Sequence, residues 1–297
     1  MEEGDEIGGH MKAILDIQGL TKTYRDFQLG PIDLQIPTGS IVGFIGENGA
    51  GKSTTIKSII GLVHPEEGEI FFEGNRLDPK SRELFERIGV GLDELHLPKE
   101  MTITQIGIFC HKFFRDWDPS LFESYLRRFS LSERKKMKEL SRGMRMKLSL
   151  TIALSHHPRL LILDEATSGL DPIVREEILD ILLEFIQDER NSVLISSHIL
   201  SDLEKAADYI AFIHQGKMVF LEEKDMLRED YALYSPKETE RESVDPAAIV
   251  ASRKNNFGET WLVYRNRMPK EWRLDRPSIE EIMLFYLKGE KNESLNI

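Results

Sequence analysis

Gly46-Glu47-Asn48-Gly49-Ala50-Gly51-Lys52-Ser53-Thr54 is the stretch whose reading decides the fold. It follows the apolar run Ile41-Val42-Gly43-Phe44-Ile45 and leads into Thr55-Ile56-Lys57-Ser58-Ile59-Ile60. A buried strand, a glycine turn and a helix start therefore stand in the order that the pattern G-x-x-x-x-G-K-[ST] requires. The glycines let backbone N–H groups turn inward around an anion, and the following helix adds its positive end. Lys52 is placed to reach the β- and γ-phosphates of a nucleotide, and Ser53 to put its hydroxyl on Mg²⁺. An ordinary strand–helix turn needs neither the Lys-Ser pair nor these flanks.

Working outward, a second strand delivers charge to the same place. Arg159-Leu160-Leu161-Ile162-Leu163 runs into Asp164-Glu165. Four consecutive apolar residues mark a strand buried on both faces. Carboxylates are costly to bury, so a strand that ends in them is delivering them to a site. Ligands of doubly wound sheets sit at the carboxyl ends of the strands. Asp164 is then expected near Ser53, on the same Mg²⁺, and Glu165 beside the γ-phosphate, where it orients or deprotonates a water. A third buried strand, Ser192-Val193-Leu194-Ile195-Ser196-Ser197, ends in His198. Its position at that same edge favours a role near the γ-phosphate.

Upstream, Lys12 to Gln18 alternates as a strand that Gly19 is expected to break, and Ile32 to Ile36 alternates again. Tyr24 lies between them among polar neighbours. Spacing leaves two readings open for it, a loop aromatic on the sheet edge or a platform for a flat base. Between Thr102 and Arg142 the period is helical and aromatics gather: Phe109, Phe113, Phe114, Trp117, Phe122, Tyr125 and Phe129. This reads as a helical subdomain, about 94–142, inserted into the α/β core. Its aromatic stripe reads as core, with part of it available as a docking surface. Tyr209 to His214 and Lys217 to Leu221 flank Gln215-Gly216 as a hairpin that closes the core.

Beyond about residue 225 the composition shifts. Ser235 to Glu242 reads as a polar linker, Ala247 to Ser252 as a short helix and Thr260 to Arg265 as a strand. Ser278 and Glu281 stand at capping-box spacing before an amphipathic helix reaching Leu287. The expected division is a tag or cloning scar at 1–10, a nucleotide-hydrolysing domain at 11–225 and a C-terminal extension at 226–297.

Composition narrows the function classes. The 297 residues are 40% hydrophobic and 30% charged, with a formal net charge of −12. That balance suits a globular domain with a sizeable core. Basic residues are scattered, and the run Arg134-Lys135-Lys136-Met137-Lys138 reads as a solvated face, so no nucleic-acid partner is expected. No apolar run of about 18 residues offers a membrane span, and the acidic N-terminal residues do not read as a secretory signal. The single cysteine, Cys110, sits in an apolar run and reads as a buried inert thiol.

Together these residues resemble the ATP-binding cassette (ABC) ATPases over about residues 12 to 225. The resemblance implies an α/β fold: a P-loop cassette with a mostly parallel sheet, an antiparallel β subdomain, the inserted helical subdomain and a small α+β extension. Gly46 to Thr54 matches the Walker A loop and Leu160 to Glu165 the Walker B strand. Tyr24 matches the adenine-stacking aromatic, Ser168-Gly169-Leu170-Asp171 the D-loop, and His198 the switch histidine. Leu140-Ser141-Arg142-Gly143-Met144 matches the signature L-S-G-G-Q, departing from it at Arg142 and Met144. Asp93 stands where the family has the glutamine of its Q-loop, still offering an oxygen to Mg²⁺ or water.

The resemblance implies two cassettes that dimerise on ATP and Mg²⁺, each ATP lying between one chain's Walker A and the other's Ser141 and Gly143. It also implies a separate transmembrane permease subunit, in the manner of two-component bacterial exporters of peptides or antibiotics. The expected location is the cytoplasmic face of the membrane. The alternative is a soluble ABC ATPase acting on nucleic acid or ribosomes. Those relatives carry two cassettes or a long coiled coil before the signature, and about 48 residues separate Asp93 from Ser141. A non-catalytic nucleotide-binding module is disfavoured by intact Lys52, Asp164, Glu165 and His198.

Overall fold

Alternating apolar residues start the chain as an antiparallel sheet. The computed structural model describes residues 12–291 apart from 79, 93–94, 238–239, 241–242 and 256–257. Strand β1 (Ala13–Tyr24) pairs with β2 (Phe27–Pro37). Gly19 does not break β1. It sits at φ 59° in a register shift between Ile17 and Leu20, and its N–H donates to Asp33 Oδ1 at 2.8 Å. A bulge absorbs the glycine that sequence reading takes for a stop.

Next come β3 (Ile41–Ile45), α1 (Lys52–Ile59), β4 (Glu67–Phe72), β5 (Asn75–Arg76), α2 (Arg82–Arg87) and β6 (Ile88–Leu92). The helical insert holds α3 (Ile103–Phe113) and α4 (Pro119–Arg128), followed by α5 (Arg142–Leu154). The α/β alternation resumes with β7 (Leu160–Asp164), α6 (Pro172–Phe185), β8 (Ser192–Ser196), α7 (Leu200–Ala206), β9 (Tyr209–His214) and β10 (Lys217–Glu223). The chain continues through α8 (Lys224–Asp230), β11 (Tyr231–Tyr234), β12 (Ile249–Asn255), β13 (Gly258–Tyr264), α9 (Ile279–Lys288) and β14 (Glu290–Lys291).

Three sheets result. One runs β2-β1-β4-β5, the central one β10-β9-β3-β8-β7-β6 and the third β11-β13-β12-β14. In the central sheet β9, β3, β8, β7 and β6 are parallel, and β10 is an antiparallel edge. Successive side chains point to opposite faces, so each strand feeds two cores. Val42, Phe44, Leu160, Ile162 and Leu194 face the antiparallel sheet and α1. Ile41, Ile45, Leu161, Leu163, Val193 and Ile195 face the helices of the other side. A sheet covered on both faces explains the unbroken apolar runs.

In the helical insert Trp117, Phe122 and Phe129 are buried, whereas Ile108, Phe109 and Phe113 are exposed. The aromatic stripe is therefore core on one side and open on the other. Burial pushes the Cys110 thiol up to about 12, in keeping with an inert group. The basic run is only partly a solvated face. Met137 is buried, while Lys136 and Lys138 both pair with Glu100 outside.

The expected helix at Ala247 to Ser252 is corrected. Pro246 to Ala248 form one 3₁₀ turn capped by Asp245, and Ile249 onward extends as β12 against β13. Two β-branched residues in sequence, Ile249 and Val250, favour the pleated form once a partner strand is present. The capping box at Ser278 and Glu281 is made, with Glu281 N–H donating to Ser278 Oγ at 3.2 Å. The expected linker is described only in part, and the expected tag lies outside the described residues.

Candidate nucleotide site

Strand order brings the motifs together. β8 lies between β3 and β7, so the carboxyl ends of all three meet at one edge. The glycine loop leaves β3 there, Asp164 and Glu165 leave β7, and Ser197 and His198 leave β8. The loop, Glu165 and His198 border a cleft of about 900 Å³.

Backbone geometry explains the loop's glycines. Gly51 caps α1 at φ 118°, and a methyl there would stand 2.5 Å from Leu29 Cδ1. Gly46 is closed in differently: its added methyl would stand 2.4 Å from the Ile213 carbonyl oxygen. Gly51→Ala should therefore open the loop and cost about tenfold or more in nucleotide affinity, read by titration with a fluorescent nucleotide. Unchanged affinity would mean that the loop's turn does not hold the anion.

Lys52 is 5% exposed and curls over the loop. Its Nζ donates to the carbonyls of Gly46 at 2.7 Å and Glu47 at 3.3 Å, and lies 3.7 Å from Glu165 Oε1. Glu165 Oε2 is 2.6 Å from His198 Nδ1. A cation, a carboxylate and an imidazole thus form one contiguous chain at the cleft's polar end. At the other end Tyr24, 43% exposed, stands 6.4 Å from Phe27, ring to ring. Both rings line the cleft together with Val63.

Glu165 holds its place at a backbone cost. Its φ is 53°, left-handed for a residue with a side chain, worth about 1–3 kcal/mol. Its N–H donates to Ser196 Oγ at 2.9 Å and lies 3.2 Å from the Ser196 carbonyl. The Ser196 hydroxyl in turn donates to Asp164 Oδ1 at 2.6 Å. One serine therefore orients both carboxylates. Sequence reading missed Ser196, because only the β7/β8 register places it opposite Asp164.

Of the expected site residues, Tyr24, Glu47, Asn48, Gly49, Gly51, Lys52, Ser53, Thr54, Glu165 and His198 line the cleft. Gly46 and Ala50 are buried in the loop's frame. Asp164 stands behind the cleft wall, engaged by Ser196. Ser141 caps α5, its Oγ accepting from Met144 N–H at 3.3 Å, and neither it nor Gly143 lines this chain's own cleft. Arg142, between them, does line it. Asp93 lies outside the described residues. Among the described residues no cluster of three or more His, Cys, Asp or Glu could cage a metal. The oxygens available to a cation are then few: the Ser53 hydroxyl at the cleft, and Asp164 behind it, whose Oδ1 accepts from the Ser196 hydroxyl. So small a donor set suits Mg²⁺, which keeps waters and phosphate oxygens as its main ligands.

A parallel sheet with this glycine loop at the end of its inner strand β3, and these carboxylates two strands away at the end of β7, defines a P-loop nucleotide-hydrolysing protein. Residues 29–168 match the ABC transporter family model. The chain is 36% identical over 223 residues to the lantibiotic transport ATP-binding protein SrtF of Streptococcus pyogenes, covering 71% of this chain and 92% of that one. It is 32% identical to the bacitracin transport ATP-binding protein BcrA of Bacillus licheniformis, covering 70% and 69%. The solved structure of an ATP binding subunit of an ABC transporter superposes with a TM-score of 0.64 at 28% identity, covering 72% of this chain and 92% of that one. The chain belongs to the ABC transporter family, as its ATP-binding subunit, and is an ATPase whose hydrolysis is coupled to transport.

Proposed function

We propose that this ATPase drives export of antibiotic-type peptides through a separate membrane subunit, working as one of two paired cassettes on the cytoplasmic side. The relatives in lantibiotic and bacitracin transport support the substrate class. The observation that carries the membrane partner is the open side of the helical insert. Ile108, Phe109 and Phe113 are 55%, 51% and 47% exposed on one helix. Beside them lies a groove of about 250 Å³ floored by Trp117, Phe122 and Leu126. Ile108 lines this groove, Phe109 and Phe113 are exposed on the same helix, and such open apolar surface suits the capture of a short amphipathic helix. Among the described residues no helix is long and apolar enough to cross a membrane.

The site residues take these roles in the reading. The ring of Tyr24 stacks on the adenine. Loop N–H groups and Lys52 hold the phosphates and neutralise the charge that develops as the γ-phosphoryl leaves. Ser53 and Asp164 would hold Mg²⁺, which when bound would supply further charge neutralisation at the phosphates. Glu165 accepts a proton from the attacking water or fixes its direction, and His198 orients Glu165 across their 2.6 Å contact. Ser141, Gly143 and the start of α5 face the partner cassette's nucleotide, with N–H donors at a helix N-terminus. Loss of the γ-phosphate removes a bridge between the two chains and loosens the pair.

A polytopic membrane protein should be encoded beside this chain, and co-expression of the two tests the reading. The two should co-purify. F109S/F113S should lose the membrane subunit while keeping its ATPase rate in solution, since neither ring touches the cleft. Equal recovery of the membrane subunit with the double variant would remove α3 as the docking face.

A further inference from the structure

Arg142 departs from the signature pattern, and its side chain does not point away from the molecule. It reaches back along its own chain to the D-loop. A methyl added at Gly169 would stand 2.3 Å from Arg142 Nη1 and 3.1 Å from its Cζ. Gly169 has a φ of 67°, so the D-loop turns there in a conformation that suits glycine, and the guanidinium occupies the space a side chain would take. Next to it, a methyl at Gly143 would meet Leu170 Cδ2 and Val174 Cγ1 at 3.8 Å. The signature turn and the D-loop of one chain are therefore packed as a unit.

That unit leads directly to the hydrolytic carboxylate. Gly169 stands four residues after Glu165. The short turn between them is closed by Ser168 N–H donating to the Glu165 carbonyl at 3.1 Å. Glu165 itself is held in a left-handed conformation with φ 53°, which a small displacement of the turn would release. Downstream, Asp171 caps α6 through the N–H groups of Ile173 and Val174 at 3.1 and 3.0 Å, so the far end of the loop is pinned. A push on the signature turn is thereby directed toward Glu165. A planar guanidinium transmits it better than a flexible ammonium, because its fork is rigid and pre-organised.

We propose that Arg142 is a positioning residue that couples the signature turn to Glu165 of the same chain through Gly169. The inference rests on the paired-cassette reading, in which Ser141 and Gly143 meet the partner's ATP. Arg142 then makes occupancy of the partner's nucleotide set the orientation of this chain's own Glu165. The two sites hydrolyse cooperatively, and a chain with ATP only in its own cleft turns over slowly.

The test uses the full-length protein with R142A, R142K and G169A, read by ATPase rate against ATP concentration and by nucleotide binding at low protein concentration. Wild type should show a Hill coefficient above one. R142A should bring it to about one and lower kcat by about 10- to 100-fold, with nucleotide affinity unchanged, as expected for a misplaced but intact site. R142K should restore little of this, and G169A should imitate R142A by displacing the guanidinium. A Hill coefficient of one in wild type, or an unchanged one in R142A and R142K, overturns the proposal. So does a loss of nucleotide affinity in R142A, which would make the guanidinium a direct ligand. The same substitutions in an E165Q background separate the two readings. If E165Q forms no ATP-held dimer, the paired-cassette reading fails and takes the proposal with it. If the dimer forms and cooperativity ignores Arg142, the proposal fails alone.

Discussion

Glu165→Gln should lower the ATPase rate by about 10²–10⁴-fold and leave ATP bound between two chains. The carboxylate lies 3.7 Å from Lys52 Nζ and 2.6 Å from His198 Nδ1, at the polar end of the cleft. An amide keeps the shape of the side chain but cannot take a proton from water. Phosphate binding by the loop is untouched, because its donors are backbone N–H groups and Lys52. The expected result is therefore a protein that binds ATP normally, elutes as a dimer when ATP is present and releases almost no phosphate. His198→Ala should fall in the same direction by a smaller factor, since Glu165 keeps its chemistry and loses only an orienting contact. Wild-type phosphate release from E165Q would remove Glu165 from the mechanism, and attention would pass to His198.

Removing residues 231–297 should abolish the soluble folded protein rather than merely trim it. The extension does not stand beside the cassette. Ile279, Ile282, Met283 and Phe285 of α9 belong to the same buried cluster as Leu203 and Ala206 of α7 and Phe212 of β9. Tyr286 packs 5.7 Å from the Phe220 ring and its hydroxyl lies 3.0 Å from that of Tyr231. Burying four large apolar side chains contributes on the order of 6–12 kcal/mol, which is comparable with the net stability of a typical domain, about 5–15 kcal/mol. The truncated chain should be recovered from inclusion bodies, or unfold at ordinary temperatures by circular dichroism. Phe285→Ala isolates the effect. It should cost about 3–5 kcal/mol and lower Tm by roughly 6–20 °C while leaving the ATP affinity of the folded protein intact. A truncated chain with wild-type Tm would show that α9 is only an appendage.

The same contacts give the extension a route to the site. α7 begins two residues after His198, and Glu204 within it accepts Ile279 N–H at 3.3 Å and pairs with Arg228 at 3.3 Å. The helix that follows His198 is thus held from behind by the C-terminal segment.

The amino-acid sequence alone determined the chemistry of this protein. Gly46 to Thr54, Asp164-Glu165 and His198 are legible because each motif is short and contiguous, and because the strand before it is an unbroken apolar run. Backbone turns, a helix start and a strand end are local consequences of local residue types. The Ser278 capping box is legible for the same reason. Contacts between segments far apart in the chain were decided only by tertiary structure. Ser196 became the orienter of two carboxylates through the register of β8 on β7, which no spacing encodes. Gly19 stayed within a strand because Asp33 on the neighbouring strand accepts its N–H. Ile249 and Val250 became strand because β13 offered them a partner. Arg142 found Gly169, and α9 found the core behind β9, because burial and packing act between surfaces that only the folded chain brings together.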